Sequence, residues 1–496
     1  MRIILLLALE LTLLAVALKL LLVDAFWPAL RKNRFAWMLT CIVCFVLAFI
    51  MGLGILKTNV ISENLFKSQW IIDPLAYGSK FLIALGGGLV ALYMLSYWGR
   101  WKLSALSLSL YLMVLLGLMG IVSAQHAISL YLSIELMSLP LYVLIVRERT
   151  VNHHISAWSL ESGMKYLVLG AVASAILLFG FSLMYGITHH LDLQEWSRWM
   201  IEHPNLLHSN TTDVLFLLVG LIGVLTGICF KLGLFPFHFW LPDVYQGSVY
   251  GLGLVFSALP KIAGFVMAYR LITVFNEWAV VWQWLLLLIG MLSVLYGNIV
   301  AILQNNVKRL LAYSAIANMG FVILGMIPIG LKNKSLDFSA SFSYLIIYGF
   351  SIILVFGVLG YLSKINNQEI QRLEELKGLS KTHPYCSGFL LLSFLSLIGI
   401  PPLFGFYAKY AILNTLLQQQ FVLIAVLIVL ASVVAAYYYL RIIWFMYFEE
   451  NVNPFSKQQS ISNSEKLFML HAFAIVYFSI NPDILFNFSQ YCFRNF

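Results

Sequence analysis

The amino-acid sequence predicts an all-α polytopic membrane protein with about 14 transmembrane helices. Of its 496 residues, 61% are hydrophobic and only 10% are charged, and the mean hydropathy is +0.90. Soluble domains carry roughly 25% charged residues. Apolar runs of about 20 residues, the length that spans a bilayer, recur along the chain and are separated by short loops. This pattern leaves no room for a sizeable soluble domain.

The predicted spans follow the apolar runs along the chain. The longest loops lie near 188–212, 363–384 and 448–464. The spans cover residues 3–23, 37–56, 76–97, 103–122, 125–146, 162–187, 213–248, 250–274, 279–302, 309–330, 338–362, 385–416, 421–447 and 465–484.

Spans 7 and 12 are predicted to be broken helices. Span 7 is interrupted in the run KLGLFPF, at Gly233 and Pro236, and span 12 in GIPPLFG, at Gly399–Gly405. A broken helix at membrane depth is tolerated only where protein or a water-filled cavity surrounds it. Because the breaks are five spans apart, spans 4–8 and 9–13 would run in opposite orientations. This pattern is typical of two inverted five-helix repeats with a site near the midplane.

The predicted organisation follows from these repeats. It comprises an N-terminal three-helix segment (1–102), a first repeat (103–275), a second, inverted repeat (276–448) and a C-terminal helix (449–496). The loops are numbered in chain order, so that loop 1 follows span 1. Lysine and arginine are about twice as numerous in the odd-numbered loops as in the even-numbered loops and the termini together. We therefore expect the odd-numbered loops to face the cytoplasm and both termini to lie on the opposite side.

Several kinds of site are disfavoured by the sequence. Cys41 and Cys44 form a CxxC inside an apolar span, where packing is the favoured interpretation, and the other cysteines are scattered. Gly86–Gly88 lies in the middle of a span and indicates close helix packing rather than a phosphate loop. No basic run with interleaved aromatic residues points to nucleic acid. We expect neither a metal site nor an iron–sulfur cluster on this chain.

Ionisable residues well inside the spans are the candidate functional residues, because a lysine there costs about 2.5–3.5 kcal/mol on insertion scales. Four of the strongest candidates are lysines and only one is a glutamate, so most of the lysines lack an acidic partner. Burial disfavours the charged form of an unpaired amine, which can then exchange a proton. The set predicts a proton path in which water joins the more distant groups: Glu135, Lys165, Lys231, His238, Lys261 and Lys409.

Structural explanations remain open for several buried charges. Glu161 lies four residues before Lys165, so a local ion pair would explain that lysine. Lys80 and Arg270 lie near span ends, where long side chains reach the headgroups. Glu10 is a possible local anchor, and Arg441 is expected to pair with a carbonyl or a headgroup. The alternative for the whole set is a scaffold of inert ion pairs.

The chain resembles the antiporter-like membrane subunits of proton-pumping NADH:quinone oxidoreductase, respiratory complex I. PDVYQG after the first break is similar to the subunit N branch, and Lys409 stands where subunit M is expected to have glutamate. Subunit L continues into a long lateral helix, for which we expect no room after span 14. The motifs that support the resemblance are YLSIELMSLPLYVL (131–144), ESGMKYLVLGAVASAILLFGFSLMYG (161–186), FKLGLFPFHFWLPDVYQG (230–247), LPKIAGF (259–265), GNIVAILQNNVKRLLAYSAIANMGF (297–321) and SLIGIPPLFGFYAKY (396–410).

The resemblance implies one proton channel, in which Glu135 pairs with Lys165. Lys231 would be the lysine of the broken span, Lys261 the central lysine and Lys409 the exit-side lysine. The chain would be a translocase subunit without redox chemistry of its own. NADH, FMN, iron–sulfur clusters and quinone would be on partner subunits, with subunits M and K as neighbours. The location would be a bacterial inner (plasma) membrane.

Two departures from the family pattern affect this assignment. Asn318 stands where the family commonly has histidine, so the central relay would need water or hydroxyls such as Tyr313 and Ser314. GSVYGLG (247–253) replaces an APTP-like run at the start of span 8. Alternative functions are a subunit of a multisubunit Na⁺/H⁺ antiporter, a stand-alone inverted-repeat solute carrier, or a structural membrane scaffold.

Overall fold

The computed structural model describes residues 2–26, 34–57, 63–66, 68–96, 104–148, 150–151, 154–155, 157–203, 212–327, 338–366, 368–450 and 462–494. Within these ranges nearly all residues are helical. The helices are α1 (Arg2–Phe26), α2 (Arg34–Lys57), α3 (Pro74–Ser96), α4 (Ala105–Ser123), α5 (Ala127–Glu148), α6 (Ala157–Thr188), α7 (Leu193–Glu202), α8 (Thr212–Leu232), α9 (Trp240–Gly247), α10 (Tyr250–Val274), α11 (Ala279–Ile302), α12 (Val307–Leu324), α13 (Ser339–Ile365), α14 (Leu379–Thr382), α15 (Pro384–Ile398), α16 (Phe404–Gln418), α17 (Val422–Phe448), α18 (Asn463–Ile480) and α19 (Asp483–Phe493).

Short non-α elements occupy some of the connections. The strands form two antiparallel hairpins, β1 (Glu63–Leu65) with β2 (Trp70–Ile72) and β3 (Thr150–Val151) with β4 (His154–Ile155). Single 3₁₀ turns lie at Asn276–Trp278 and Leu373–Leu376. These elements close loops and contribute little to the helical core.

The all-α membrane fold predicted from the sequence is confirmed. A helix or helix pair lies at each predicted span. Among the described residues, ten helices are long and apolar enough to cross a membrane, and the bent pair α18–α19 makes an eleventh. The number of about 14 crossings therefore stays a prediction. Some residues behind the predicted orientation lie outside the described part of the chain: Arg31, Lys32, Lys67, Arg100, Lys102, Arg149, Lys332, Lys334 and Lys457.

Both predicted breaks are present, and the two helices end in the same way. Gly233 and Gly399 adopt the left-handed conformation, with φ of 74° and 83°. The next amide in each case reaches back five residues, from Leu234 to the Cys229 carbonyl and from Ile400 to the Leu395 carbonyl. This is the Schellman type of helix end, which favours glycine because it has no Cβ. The repeated geometry agrees with the two-repeat organisation proposed from the sequence.

Helices α10, α12 and α13 form the centre of the molecule, because 94% of the residues in the most apolar stretch of each helix are buried. In the peripheral helices α6, α11 and α17, only 33–39% of the residues in the corresponding stretch are buried. Close contact between α6 and α8 depends on Gly180, where an added Cβ would lie 2.8 Å from the Gly220 carbonyl oxygen. This contact holds α8, with its terminal Lys231, tightly against α6.

Two charges expected to reach the headgroups instead form buried ion pairs, so that expectation is wrong. Lys80 lies 2.5 Å from Glu10, which joins α1 to α3 rather than acting as a local anchor. Arg270 lies 2.9 Å from Asp73 and also donates to the Val122 carbonyl. The acidic partners lie on other helices, and sequence spacing cannot show such contacts. By contrast, the expected carbonyl partners of Arg441 are confirmed, since it donates to Ile302 and Gln304.

The C-terminal segment contains a second helix that the sequence analysis did not separate from span 14. Helix α19 turns away from α18 by 81°. Its buried residues are spaced three and four apart, as in a helix that lies flat on a surface: Leu485, Ser489, Cys492 and Phe493. The Phe493 ring packs against Tyr269, Phe342 and Phe265, with centroids 5.0, 5.8 and 6.4 Å away. Helix α19 therefore contacts both predicted repeats.

Replacing Arg270 by methionine is expected to destabilise the protein by about 3–5 kcal/mol, because the buried Asp73 carboxylate loses its cationic partner. Thermal unfolding of the purified membrane complex would measure the loss. The double variant R270M/D73N should recover much of it, since asparagine removes the charge but can still accept from the Ala76 amide. An R198Q control removes only an exposed pair with Glu195 and should change little. Equal stability of R270M and the wild type would contradict this assignment.

Candidate functional site

Lys231 lies in the last turn of α8 and is buried against α5. Its amine donates to the Ser138 hydroxyl at 2.8 Å. Glu135, three residues earlier on the same face of α5, is close enough to interact with the Lys231 charge. The carboxylate of Glu135 accepts a hydrogen bond of 2.7 Å from Ser174 on α6. Lys231 therefore has a hydroxyl as its hydrogen-bond partner and a carboxylate near it.

The pairing of Glu135 with Lys165, implied by the resemblance, is wrong in this structure. Lys165 lies 2.7 Å from Glu161 and 2.8 Å from Asp243, and its side chain is 45% exposed. The residue of α6 at the level of Glu135 is Ser174, nine residues further on, roughly 13 Å along the helix axis. The local pair with Glu161, left open by the sequence, is present. Lys165 thus belongs to a different cluster from Lys231.

That second cluster, the Asp243 cluster, consists of Glu161, Lys165, Asp243, Gln246 and Arg309. Asp243 on α9 accepts from Lys165 with one carboxylate oxygen and from Arg309 with the other, the latter at 2.7 Å. Arg309 also donates to Gln246 at 2.9 Å. In the sequence, Arg309 stands out only as one of the positive residues of the odd-numbered loops. The signal for its position was Asn306, whose side chain caps α12 and fixes the start of that helix.

Lys308 is another positive residue of the odd-numbered loops, and it is buried in the structure. It pairs with Glu369 and donates to the Ser248 carbonyl at 2.5 Å. Its amine lies 4.6 Å from the centre of the Tyr250 ring. These contacts tie the start of α12 to the start of α10 and to the loop after α13. Because its partner is a carboxylate, Lys308 serves as a structural cation.

Lys261 lies in the middle of α10, directly after Pro260, and is only 2% exposed. Its amine donates to the Tyr348 hydroxyl at 3.3 Å and lies 5.0 Å from the centre of that ring. Lys261 and Lys231 line one cavity of about 10 Å³, together with Tyr166 and Trp240. Such a space holds about one water molecule. The two lysines therefore line the same water-sized cavity.

Lys409 lies in the first turns of α16, beyond the second break. Its amine donates to the Ile398 carbonyl at 2.7 Å, at the C-terminal end of α15. Helix ends leave such carbonyls unpaired and partly negative, which suits a cation. Lys409 lines a second cavity of about 10 Å³ with Asn318, Tyr344, Tyr348, Ser351 and Ser396. Tyr348, which lines this second cavity, also contacts Lys261.

Asn318 is held by two hydrogen bonds. Its carbonyl accepts from the Tyr344 hydroxyl at 2.6 Å, and its amide donates to the Ser314 carbonyl at 2.7 Å. Of the hydroxyls predicted to replace the family's histidine, that of Ser314 bonds to Leu311 within α12. Tyr313 does not line the second cavity. The hydroxyl groups that line this cavity come largely from α13. They were not predicted from the sequence.

His238 is buried among aromatic rings. Its ring lies 4.6 to 5.5 Å, centroid to centroid, from Phe239, Tyr296 and Phe235. Among the described residues, neither ring nitrogen has a hydrogen-bond partner. The structure therefore does not link His238 to the lysines, although it lies just after the same break as Lys231. Within the described ranges there is also no group of three His, Cys, Asp or Glu side chains placed to hold a metal ion.

Comparison with protein families gives a match over residues 124–435 to the transmembrane family described as NADH:quinone oxidoreductase/Mrp antiporter. NADH-quinone oxidoreductase subunit N of Nitrosomonas europaea is 35% identical over 459 residues, covering 92% of this chain and 91% of the relative. The protein of the same name from Coxiella burnetii is 33% identical over 431 residues, covering 86% of each.

Solved structures agree with these sequence relatives. A chain of respiratory complex I from Thermus thermophilus with bound Aureothin superposes with a TM-score of 0.76 and 26% identity, covering 96% of this chain and 98% of that one. The archaeal membrane-bound sulfane sulfur reductase gives 0.81 at 22% identity, covering 97% and 96%. A chain of the Mrp complex from Dietzia superposes with a TM-score of 0.79 at 18% identity, covering 98% of this chain and 97% of that one. The last two structures show likeness of fold alone.

Replacing Gly405 by alanine is expected to displace Lys409, because the new Cβ would overlap the Ser396 carbonyl oxygen and push α16 away from α15. We expect impaired assembly or thermal stability of the membrane complex, measured on purified protein. Gly388 on α15 is a matched control, since a Cβ there meets nothing within 4 Å. Alanine at position 388 should be neutral or stabilise by about 0.5–1 kcal/mol. Similar behaviour of G405A and G388A would contradict the close packing at the second break.

Proposed function

The chain belongs to the NADH:quinone oxidoreductase/Mrp antiporter transmembrane family, and from this we propose that Lys231, Lys261 and Lys409 carry protons through it. It acts as a membrane subunit of a proton-translocating NADH:quinone oxidoreductase, in common with its subunit N relatives. The free energy comes from quinone reduction elsewhere in the complex. This chain contributes to the enzyme by moving protons.

The observation that best supports the proton path is the cavity shared by Lys231 and Lys261. An amine accepts a proton only when it is neutral, and removal from water favours the neutral form. Each of the three lysines has a neutral hydrogen-bond partner: the Ser138 hydroxyl, the Tyr348 hydroxyl or the Ile398 carbonyl. None of these partners holds the amine in the charged form as strongly as a directly bonded carboxylate would. The three lysines are thus suited to gaining and losing protons.

Charges next to the first lysine would drive the transfer. Moving one proton against 100 mV costs about 2.3 kcal/mol. Neutralising Glu135, or bringing a positive charge near it, weakens the attraction that holds the proton on Lys231 and so favours its transfer towards Lys261. In this proposal Lys165 and His238 lie beside the path, and Lys165 acts through the Asp243 cluster.

The complex supplies what this chain does not. We propose that NADH, FMN, the iron–sulfur clusters and quinone bind to partner subunits. Subunits of the M and K types are the proposed neighbours in the membrane arm. The proposed location is a bacterial inner membrane, with both termini on the non-cytoplasmic side, because positive residues concentrate in the odd-numbered loops.

The rival functions fit the structure less well. A Na⁺/H⁺ antiporter subunit would share the fold, but the relatives at 33–35% identity over most of the chain carry the name subunit N. A solute carrier requires a pocket of roughly 300 Å³ or more for its substrate. The two cavities between the lysines hold about one water each. Their size suits proton transfer and excludes a carried solute at these positions.

Replacing Lys231 by alanine is expected to abolish proton pumping through this subunit, because the first proton acceptor is lost. The measurement is acidification of vesicles containing the assembled complex, expressed per NADH oxidised. Lys381 provides the control, since its amine pairs with Glu450 on an exposed surface and K381A should pump normally. Unchanged pumping by assembled K231A would remove Lys231 from the path.

A second comparison separates the two carboxylates. Glu135→Gln should lower pumping at least tenfold, because it removes the negative charge next to Lys231. Glu161→Gln should lower it much less, since Lys165 keeps Asp243 as a partner. Both variants are measured as protons pumped per NADH in complexes with normal subunit content. A larger loss in E161Q than in E135Q would show that the path begins in the Asp243 cluster instead.

A further inference from the structure

The proposed path leaves one gap between lysines, from Lys261 to Lys409, and Tyr348 fills it. Tyr348 lies on the central helix α13 and is 2% exposed. Its hydroxyl accepts a hydrogen bond of 3.3 Å from the Lys261 amine. The same residue lines the second cavity, to which Lys409 contributes its side chain. One phenol thus contacts the central lysine and the space that contains the exit-side lysine.

The neighbouring tyrosine is not equivalent. Tyr344, one turn earlier on α13, lines the same cavity, but its hydroxyl donates to Asn318 at 2.6 Å. Its hydrogen is therefore already engaged. Tyr348 accepts from Lys261, and within the described residues no acceptor takes its own hydrogen. A phenol oxygen can accept and donate at the same time, so the Tyr348 hydrogen can point into the second cavity.

We propose that the Tyr348 hydroxyl relays protons between Lys261 and Lys409, an inference that rests on the proton path proposed above. An N–H bond of the Lys261 ammonium breaks as a new O–H bond forms at Tyr348. In the same event the phenol's original O–H bond breaks, and that proton passes through water in the second cavity to the neutral amine of Lys409. Lys261 is left neutral, Lys409 becomes charged, and Tyr348 is unchanged. No atom is oxidised or reduced, and rotation of the hydroxyl prepares the next transfer.

This relay also accounts for Asn318. An amide cannot gain or lose a proton at neutral pH, so Asn318 cannot take part in a transfer by titrating. It instead fixes Tyr344 at the edge of the second cavity through the bond of 2.6 Å. The paired hydroxyls of Ser351 and Ser396, 2.9 Å apart, offer further oxygen atoms along the same cavity. Hydroxyl groups of Tyr344, Tyr348, Ser351 and Ser396 therefore line the cavity beside Lys409.

The test is Tyr348→Phe, which keeps the ring beside Lys261 and removes only the hydroxyl. Protons pumped per NADH should fall to the level of a Lys261→Met variant in assembled complexes reconstituted in vesicles. The matched control is Tyr111→Phe, another buried tyrosine, whose hydroxyl donates to the Gly87 carbonyl at 2.7 Å away from both cavities. Y111F should pump at the wild-type ratio, whatever its effect on stability.

The outcomes separate the two proposals. If K231A and K261M lose pumping while assembled Y348F keeps the wild-type ratio, the relay through Tyr348 is refuted and the lysine path stands. If all three variants pump normally, the lysine path itself fails. Should Y348F not assemble, 3,5-difluorotyrosine at position 348 keeps the shape but makes the hydroxyl more acidic. A relay would then shift the pH profile of pumping, and an unchanged profile would overturn it.

Discussion

The structure depends on how each cation is held at membrane depth, away from both water and lipid. Removing a charge from water costs several kcal/mol, so a buried cation needs a partner. Lys80, Arg270 and Lys308 have carboxylate partners, in Glu10, Asp73 and Glu369. Lys231, Lys261 and Lys409 instead donate to a serine hydroxyl, a tyrosine hydroxyl and a backbone carbonyl. The first group forms ion pairs between helices, and the second group consists of the three lysines that we propose carry protons.

The lysines at the two helix breaks, Lys231 and Lys409, have different kinds of partner. At the second break the free carbonyl of Ile398 accepts from Lys409. At the first break the corresponding end of α8 includes the Phe230 carbonyl, which accepts from the Trp240 indole at 3.0 Å. Lys231 bonds instead to Ser138 on α5, near Glu135. The same local backbone geometry therefore places one lysine near a carboxylate and the other against a helix end.

Much of the fold could be predicted from local sequence, because span length, glycine and proline act within a few residues. The breaks at Gly233 and Gly399 and the buried positions of Lys231, Lys261 and Lys409 were predicted in this way. Contacts between helices could not be predicted, since they depend on the rotation and height of each helix. For that reason the family resemblance implied a pairing of Glu135 with Lys165 that is absent, and the position of Arg270 near a span end wrongly placed it at the headgroups. Tyr348 gave no signal because tyrosine is frequent in the spans, and only packing shows which one meets a lysine.

The docking of α19 has a consequence for how the protein is made. Phe493 packs against Phe265 and Tyr269 of α10 and Phe342 of α13, one helix from each predicted repeat. The ribosome synthesises α19 after all of these helices, so this aromatic contact can form only once both halves have been inserted and have met. A contact that forms late therefore joins the two halves, and a reporter fused close behind Phe493 would interfere with this step of biogenesis.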